Sequence, residues 1–210
     1  MDLANPISSI IPSGHGVVLA VLARTDQPMS GRKVAALTDG RLSAKGTSNV
    51  LRALADAGVV LVEDQPPSKL YRLNRRHLAA RSIIELTQLR SRLLEAIRDQ
   101  LGRWDPAAVA AWLFGSAARG DGTTDSDIDV LVVRSDDVDA DDPAWLAQVD
   151  ELVEDIRVWS GNACSVIEYS QSEFGHLMAG RDRLADGLRA DGVRLAGRLQ
   201  LREIRRRRAS

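Results

Sequence analysis

The chain has 210 residues, of which 44% are hydrophobic and only 4% aromatic, with a net charge of −1; this fits one large or two small domains with aliphatic cores. No apolar run approaches the roughly 20 residues of a membrane span, and "MDLANPISSI" has no basic region before an apolar block, which argues against a signal peptide. The single cysteine, Cys164, excludes an internal disulfide and fits a reducing cytoplasm.

The near-neutral total hides an uneven distribution. Residues 1–76 carry ten Lys/Arg against six Asp/Glu, residues 77–160 eight against seventeen, and residues 161–210 ten against six. A basic first third and an acidic middle suggest units with different partners.

In chain order, "GHGVVLAVLART" places Val17, Val18, Val21 and Leu22 on a helical stripe. "PMSGRKVAALT" offers Ser30 as an N-cap, with Val34, Ala35 and Leu37 facing inward. "AKGTSNVLRALADAG" is a third helix, stopped at Gly58. "VVLVED" and "LYRL" read as two strands joined by the turn "QPPSK". Residues 1–76 thus resemble the winged helix-turn-helix domain of bacterial transcriptional regulators. In that resemblance the third helix reads duplex DNA. Lys45, Thr47, Ser48, Asn49 and Arg52 are donors suited to phosphates and base edges, flanked by Arg32, Lys33 and Arg41, with Lys69 and Arg72 on the wing. The same polar surface also suits a protein-interaction module.

Residues 77–102 are expected to form one long amphipathic helix. Ile83, Leu86, Leu89, Leu93, Ile97 and Leu101 recur at spacings of three and four. At about 1.5 Å per residue it would span about 38 Å, long enough to pack on its own domain or to form the seam of a homodimer.

Residues 103–210 alternate strand and helix. "AAVAAWLFGS" is a buried strand ending at Gly115 and Ser116, and "AARGDG" starts a short helix. "SDIDVLVV" is a second strand, "PAWLAQVDELVEDIRVWSG" a helix and "NACSVIEYS" a third strand, followed by short helices and turns. The fold class expected for the whole chain is α+β, and this part is a small mixed sheet with helices on one face.

Within "SDIDVLVV", residues two apart share a face, so Asp127 and Asp129 point the same way. Two neighbouring carboxylates repel, and one would normally take up a proton. A divalent cation resolves the conflict, and Mg²⁺ commonly takes one or two carboxylates together with substrate phosphates. The Gly115-Ser116 turn would lie beside the pair. There its backbone N–H groups and the following helix N-terminus favour a phosphate.

"GSAARGDGTTDSDIDVLVV" resembles the signature of the minimal nucleotidyltransferases of the DNA polymerase beta superfamily. The resemblance implies that Gly115 and Ser116 hold a nucleoside triphosphate, and that Asp127 and Asp129 hold Mg²⁺. It further implies transfer of a nucleoside monophosphate to an acceptor hydroxyl, with release of pyrophosphate. Arg119 meets a phosphate or orients the helix, or instead closes a salt bridge to Asp125 or Asp127. Active members carry a third carboxylate on a following strand. In "ACSVIEYS" that place falls to Ser165 in a regular strand, or to Glu168 if a bulge turns it inward.

The acidic run Asp136, Asp137, Asp139, Asp141 and Asp142 reads as a solvated loop, and His15, His77 and His176 have no metal-ligand spacing. The tail "REIRRRRAS" either frays or adds nonspecific electrostatic attraction to nucleic acid. The function expected is a cytoplasmic DNA-binding regulator carrying an Mg²⁺-dependent nucleotide-binding domain. The alternatives are an antitoxin-type nucleotidyltransferase whose winged helix recruits the acceptor, and a regulator whose transferase domain only senses nucleotide.

Overall fold

A computed structural model describes residues 1–201; the basic tail from residue 202 onward lies outside the described residues. The chain divides into an N-terminal unit, Ala4–Arg90 with Asp2, and a C-terminal unit from Ser91 onward with Met1 and Leu3. Among the described residues no helix is long and apolar enough to cross a membrane.

The N-terminal unit runs α1 (Pro6–Ile10), α2 (Gly14–Ala23), β1 (Met29–Ser30), α3 (Gly31–Ala36), α4 (Ala44–Asp56), β2 (Val60–Gln65), β3 (Ser68–Leu73) and α5 (Ala80–Thr87). Its sheet is antiparallel, in the order β1-β3-β2. Helix α2 is buried on nearly every side from Val18 to Ala23, so it is the centre of the unit rather than an amphipathic flank. Ser30 caps α3 by accepting from Lys33 N, and Ser43 caps α4 by accepting from Gly46 N. Leu22, Val34, Leu51, Leu73 and Ile83 meet in the core.

The expected single helix over residues 77–102 is two helices, α5 and α6 (Leu89–Leu101). The break is at Gln88, whose N–H turns back to Glu85 O. The physical reason is that each half is claimed by a different core: Ile83 packs in the N-terminal one, and Leu93, Ile97 and Leu101 in the C-terminal one. The apolar stripe, read from sequence as packing on its own domain or as the seam of a homodimer, is therefore divided between two cores.

The C-terminal unit continues with β4 (Ala110–Phe114), α7 (Gly115–Arg119), β5 (Ile128–Arg134), α8 (Pro143–Ser160), β6 (Cys164–Ser170), α9 (Gln171–Ala179), α10 (Arg183–Asp191) and β7 (Val193–Gly197). The mixed sheet has the order β6-β5-β4-β7, with β5 and β6 parallel. Strand β7 falls in a stretch read from sequence as helix and turn. Helices cover both faces of the sheet, not one. Ala111, Leu113, Val130 and Val132 pack against residues of α6 and α8, including Trp145 and Ile156. Trp112, Leu131 and Val133 pack against Phe174, Met178 and Leu188 of α9 and α10. That strict alternation decides which way each site residue of β5 and β6 faces.

Candidate nucleotide and metal site

Strand β4 ends at Phe114, which pairs with Asp129 of β5. The chain then turns into α7 through Gly115 at φ +67, a conformation that favours glycine. A methyl group on Gly115 would lie 2.5 Å from Asp129 Oδ2. The backbone of the turn therefore passes directly against the carboxylate. Ser116 O accepts from Gly120 N (3.0 Å) and Asp121 N (3.2 Å), closing the short helix. Arg119 Nε donates to Asp121 at 3.1 Å, a partner other than the two expected from sequence.

Asp129 sits inside β5 and is half-buried, whereas Asp127 lies one residue before the strand and is exposed. Burial first, and the charge of Asp127 second, raise the Asp129 carboxyl above its usual 3.8. The same surroundings act on Cys164 at the start of β6. Burial, then Asp129 and Asp127, push its thiol up to about 12, so it stays protonated at neutral pH.

The β5–β6 ladder is regular from Ile128↔Cys164 to Arg134↔Ser170. Ser165 is in register with Asp129, and Glu168 with Val132. Parity then sends Glu168 to the α8 face, where Trp145 Nε1 donates to its carboxylate. The structure thus does not bring Glu168 to the aspartate pair, because no bulge turns it round. Among the described residues no group of three His, Cys, Asp or Glu is placed to hold a metal ion.

Sequence reasoning missed two jobs within the acidic run. Asp142 caps α8 by accepting from Ala144 N (2.9 Å) and Trp145 N (3.0 Å). Asp136 accepts from Ser172 N and Oγ at the start of α9. Asp142 stands directly before the helix already read from Pro143, so its cap was legible in the sequence, whereas the Asp136 contact with Ser172 joins residues 36 apart that only the fold brings together. Asn162, unremarked in the sequence, is buried beside the loop that carries Asp127.

In the N-terminal unit, α4 turns Lys45, Ser48, Asn49 and Arg52 outward. Thr47, expected among the DNA-contacting donors, is fully buried. It shares the inward face with Leu51 and Leu54 at spacings of four and three. Arg32 and Lys33 are exposed. On the β2–β3 hairpin, Lys69 pairs with Asp64 (3.6 Å) and Arg72 with Glu63 (2.8 Å). Arg41 pairs with Asp2 at 3.4 Å.

Residues 90–174 match the nucleotidyltransferase domain family. A search of curated proteins returned no match. Among solved structures, a toxin-antitoxin complex with AMP-PNP is 20% identical, covering 52% of this chain and 73% of that one, with a TM-score of 0.33. A mutant of the toxin-antitoxin MntA-HpeT is 17% identical over the same shares, with a TM-score of 0.32. TrmBL2, an archaeal chromatin protein with a novel mode of DNA binding, is 13% identical, covering 89% of this chain and 78% of that one, with a TM-score of 0.30. These structural scores carry no argument, and the similarity rests on the family match over residues 90–174. The matched stretch runs from α6 through the Gly115 turn and the two aspartates into α9, and it is there that the chain is similar to the nucleotidyltransferase domain family.

Proposed function

We propose that the C-terminal unit binds a nucleoside triphosphate together with Mg²⁺, and that the N-terminal unit is a winged helix that binds duplex DNA. The observation that carries the first half is the approach of Gly115 to Asp129. The backbone stands where a side chain would collide with the carboxylate, beside a second carboxylate whose charge already disfavours ionisation of the first. A cation relieves that repulsion, and its hard oxygen donors would be Asp127 and Asp129. Gly115 and Ser116 are the main-chain positions for the phosphates. Arg119 is in an exposed ion pair, which a triphosphate can compete for. When bound, Mg²⁺ supplies Lewis-acid polarisation of phosphoryl oxygens.

The exposed face of α4, with Lys45, Ser48, Asn49 and Arg52, supports DNA binding, and Thr47 leaves that set. A second reading, an antitoxin-type transferase whose N-terminal unit recruits a protein acceptor, is favoured by the hairpin. Its two cations are already engaged by Glu63 and Asp64 and add little positive field.

The test is incubation of the protein with labelled nucleoside triphosphates, Mg²⁺ and cell lysate. Label transfer to a protein or small molecule supports the second reading, and nucleotide binding without transfer supports the regulator. Calorimetry on Asp129→Asn should lose most Mg²⁺-dependent nucleotide binding with the fold intact. Unchanged affinity would defeat the metal site.

A further inference from the structure

Asp127 and Asp129 are held by different means. Asp129 is fixed from two sides, opposite Phe114 of β4 and beside Ser165 of β6. Asp127 precedes the strand, and its place depends on the turn before it. That turn closes on itself: Ser126 N donates to Thr123 O at 3.2 Å, and Thr123 N donates to Ser126 Oγ at 2.9 Å. Those two bonds are internal to the turn and do not fix it to its surroundings; just before it, Gly122 O accepts from Leu3 N at 3.1 Å.

Asn162 ties the turn down. It follows Gly161, which ends α8, and is 2% exposed. Its Nδ2 donates to the carbonyls of Thr123 (3.4 Å), Thr124 (3.3 Å) and Ser126 (3.0 Å). Two N–H groups serve three acceptors, so at least one bond is shared. The amide is itself held, because Asn162 N donates to Ser160 Oγ (3.1 Å) and Oδ1 accepts from the Met1 amino group (2.6 Å). Just beyond, Ile128 N donates to Ala163 O at 2.8 Å.

We infer that Asn162 is the positioning residue of the metal pair, setting Asp127 against Asp129 through the 123–126 turn. This rests on the reading of the two aspartates as a divalent-cation site. The general reason is that groups which orient ligands, without touching the cation, typically change metal affinity by about 10–100-fold when removed.

The experiment titrates the full chain with Mn²⁺ as the probe, followed by electron paramagnetic resonance, with circular dichroism and thermal melts as fold controls. Wild type should bind Mn²⁺ and Asp129→Asn should not. Asn162→Ala should fold and bind about tenfold more weakly. In an Asp127→Asn background the same substitution should cost nothing further, because its route is already cut. Wild type without Mn²⁺ binding, or Asp129→Asn binding normally, would bring down the metal reading and this inference with it. Asn162→Ala binding like wild type, while Asp129→Asn does not bind, would overturn this inference alone. So would an undiminished effect in the Asp127→Asn background. Should Asn162→Ala fail to fold, Asn162→Ser keeps a polar group in the buried space but is too short to reach the three carbonyls, and should still lose affinity. Failure of both to fold also overturns the proposal, since the amide then serves only the fold.

Discussion

Gly115 and Asp129 are so close that a single added methyl group would fall 2.5 Å from Oδ2. Two effects meet in a Gly115→Ala variant, and Gly161 separates them. Gly161 has a similar positive φ, +75, with nothing within 4 Å of an added Cβ. Gly161→Ala should cost only the backbone strain, on the order of 1 kcal/mol. Gly115→Ala should cost that and a further amount on the order of 1 kcal/mol, as the carboxylate is driven off its position. It should also lose Mg²⁺-dependent nucleotide binding. Equal unfolding free energies for the two variants, with binding intact, would mean that the close approach has no consequence.

A pH dependence follows from Asp136, at the far end of β5 from the aspartate pair. The Ser172 hydroxyl first, and the Ser172 N–H second, hold its carboxyl below the usual 3.8. The folded state therefore binds this proton less readily than the unfolded chain. The contribution to stability is complete above 3.8 and is lost as pH falls through the lower folded value. Asp136→Ala should melt a few degrees below wild type at neutral pH. The gap should narrow under acid, which melts across a pH series would reveal. A gap constant with pH would assign the loss to packing instead.

On α4, the exposed and buried donors make a matched pair of variants. Lys45→Ala should weaken binding to all duplex sequences and reduce its steep salt dependence, by loss of counterion release. Asn49→Ala should also alter sequence preference. Thr47→Val, in contrast, removes a buried hydroxyl that has no hydrogen-bond partner among the described residues. It should leave DNA affinity unchanged and raise stability slightly. A mobility-shift selection from random duplexes that recovers nothing at low salt would defeat the DNA reading, and a Thr47→Val variant that loses DNA binding would undo the face assignment.

The strands that frame the site were legible because their signals are local. An apolar run after "SDID" and a Gly-Ser turn after "AAWLF" need no partner to be read. Thr47 was misread by residue type, although its place four residues before Leu51 and seven before Leu54 puts it on the core face. The break at Gln88 left no trace in the apolar spacing, which runs on through it. Only the existence of two separate cores divides that helix. Strand β7 was missed for a similar reason. "VRLAG" is five residues long and ends in glycine, and its pairing with β4, through a register shift at Ala111/Trp112, comes from far along the chain. Asn162 gave no signal, because a buried amide is identified by three carbonyls that only the fold brings to it.

The regular β5–β6 register makes a final prediction on the acid count of the site. Ser165 lies beside Asp129, and Glu168 is turned to Trp145 on the other face. A hydroxyl is a weak ligand and a poor base. Loss of a positioned base typically costs about 10²–10⁴ in rate. The wild type should therefore bind a nucleoside triphosphate but transfer it slowly, and Ser165→Asp should raise the transfer rate by restoring a carboxylate in register with the pair. Glu168→Ala should act on the fold instead. Trp145 is fully buried, and its indole N–H left without an acceptor costs about 1–3 kcal/mol, with Mn²⁺ affinity unchanged. Single-turnover assays with labelled nucleotide, alongside denaturation of both variants, separate the two roles. Brisk wild-type transfer that Glu168→Gln abolishes would show that β6 takes another register in the working enzyme, and that the third acid is Glu168 after all.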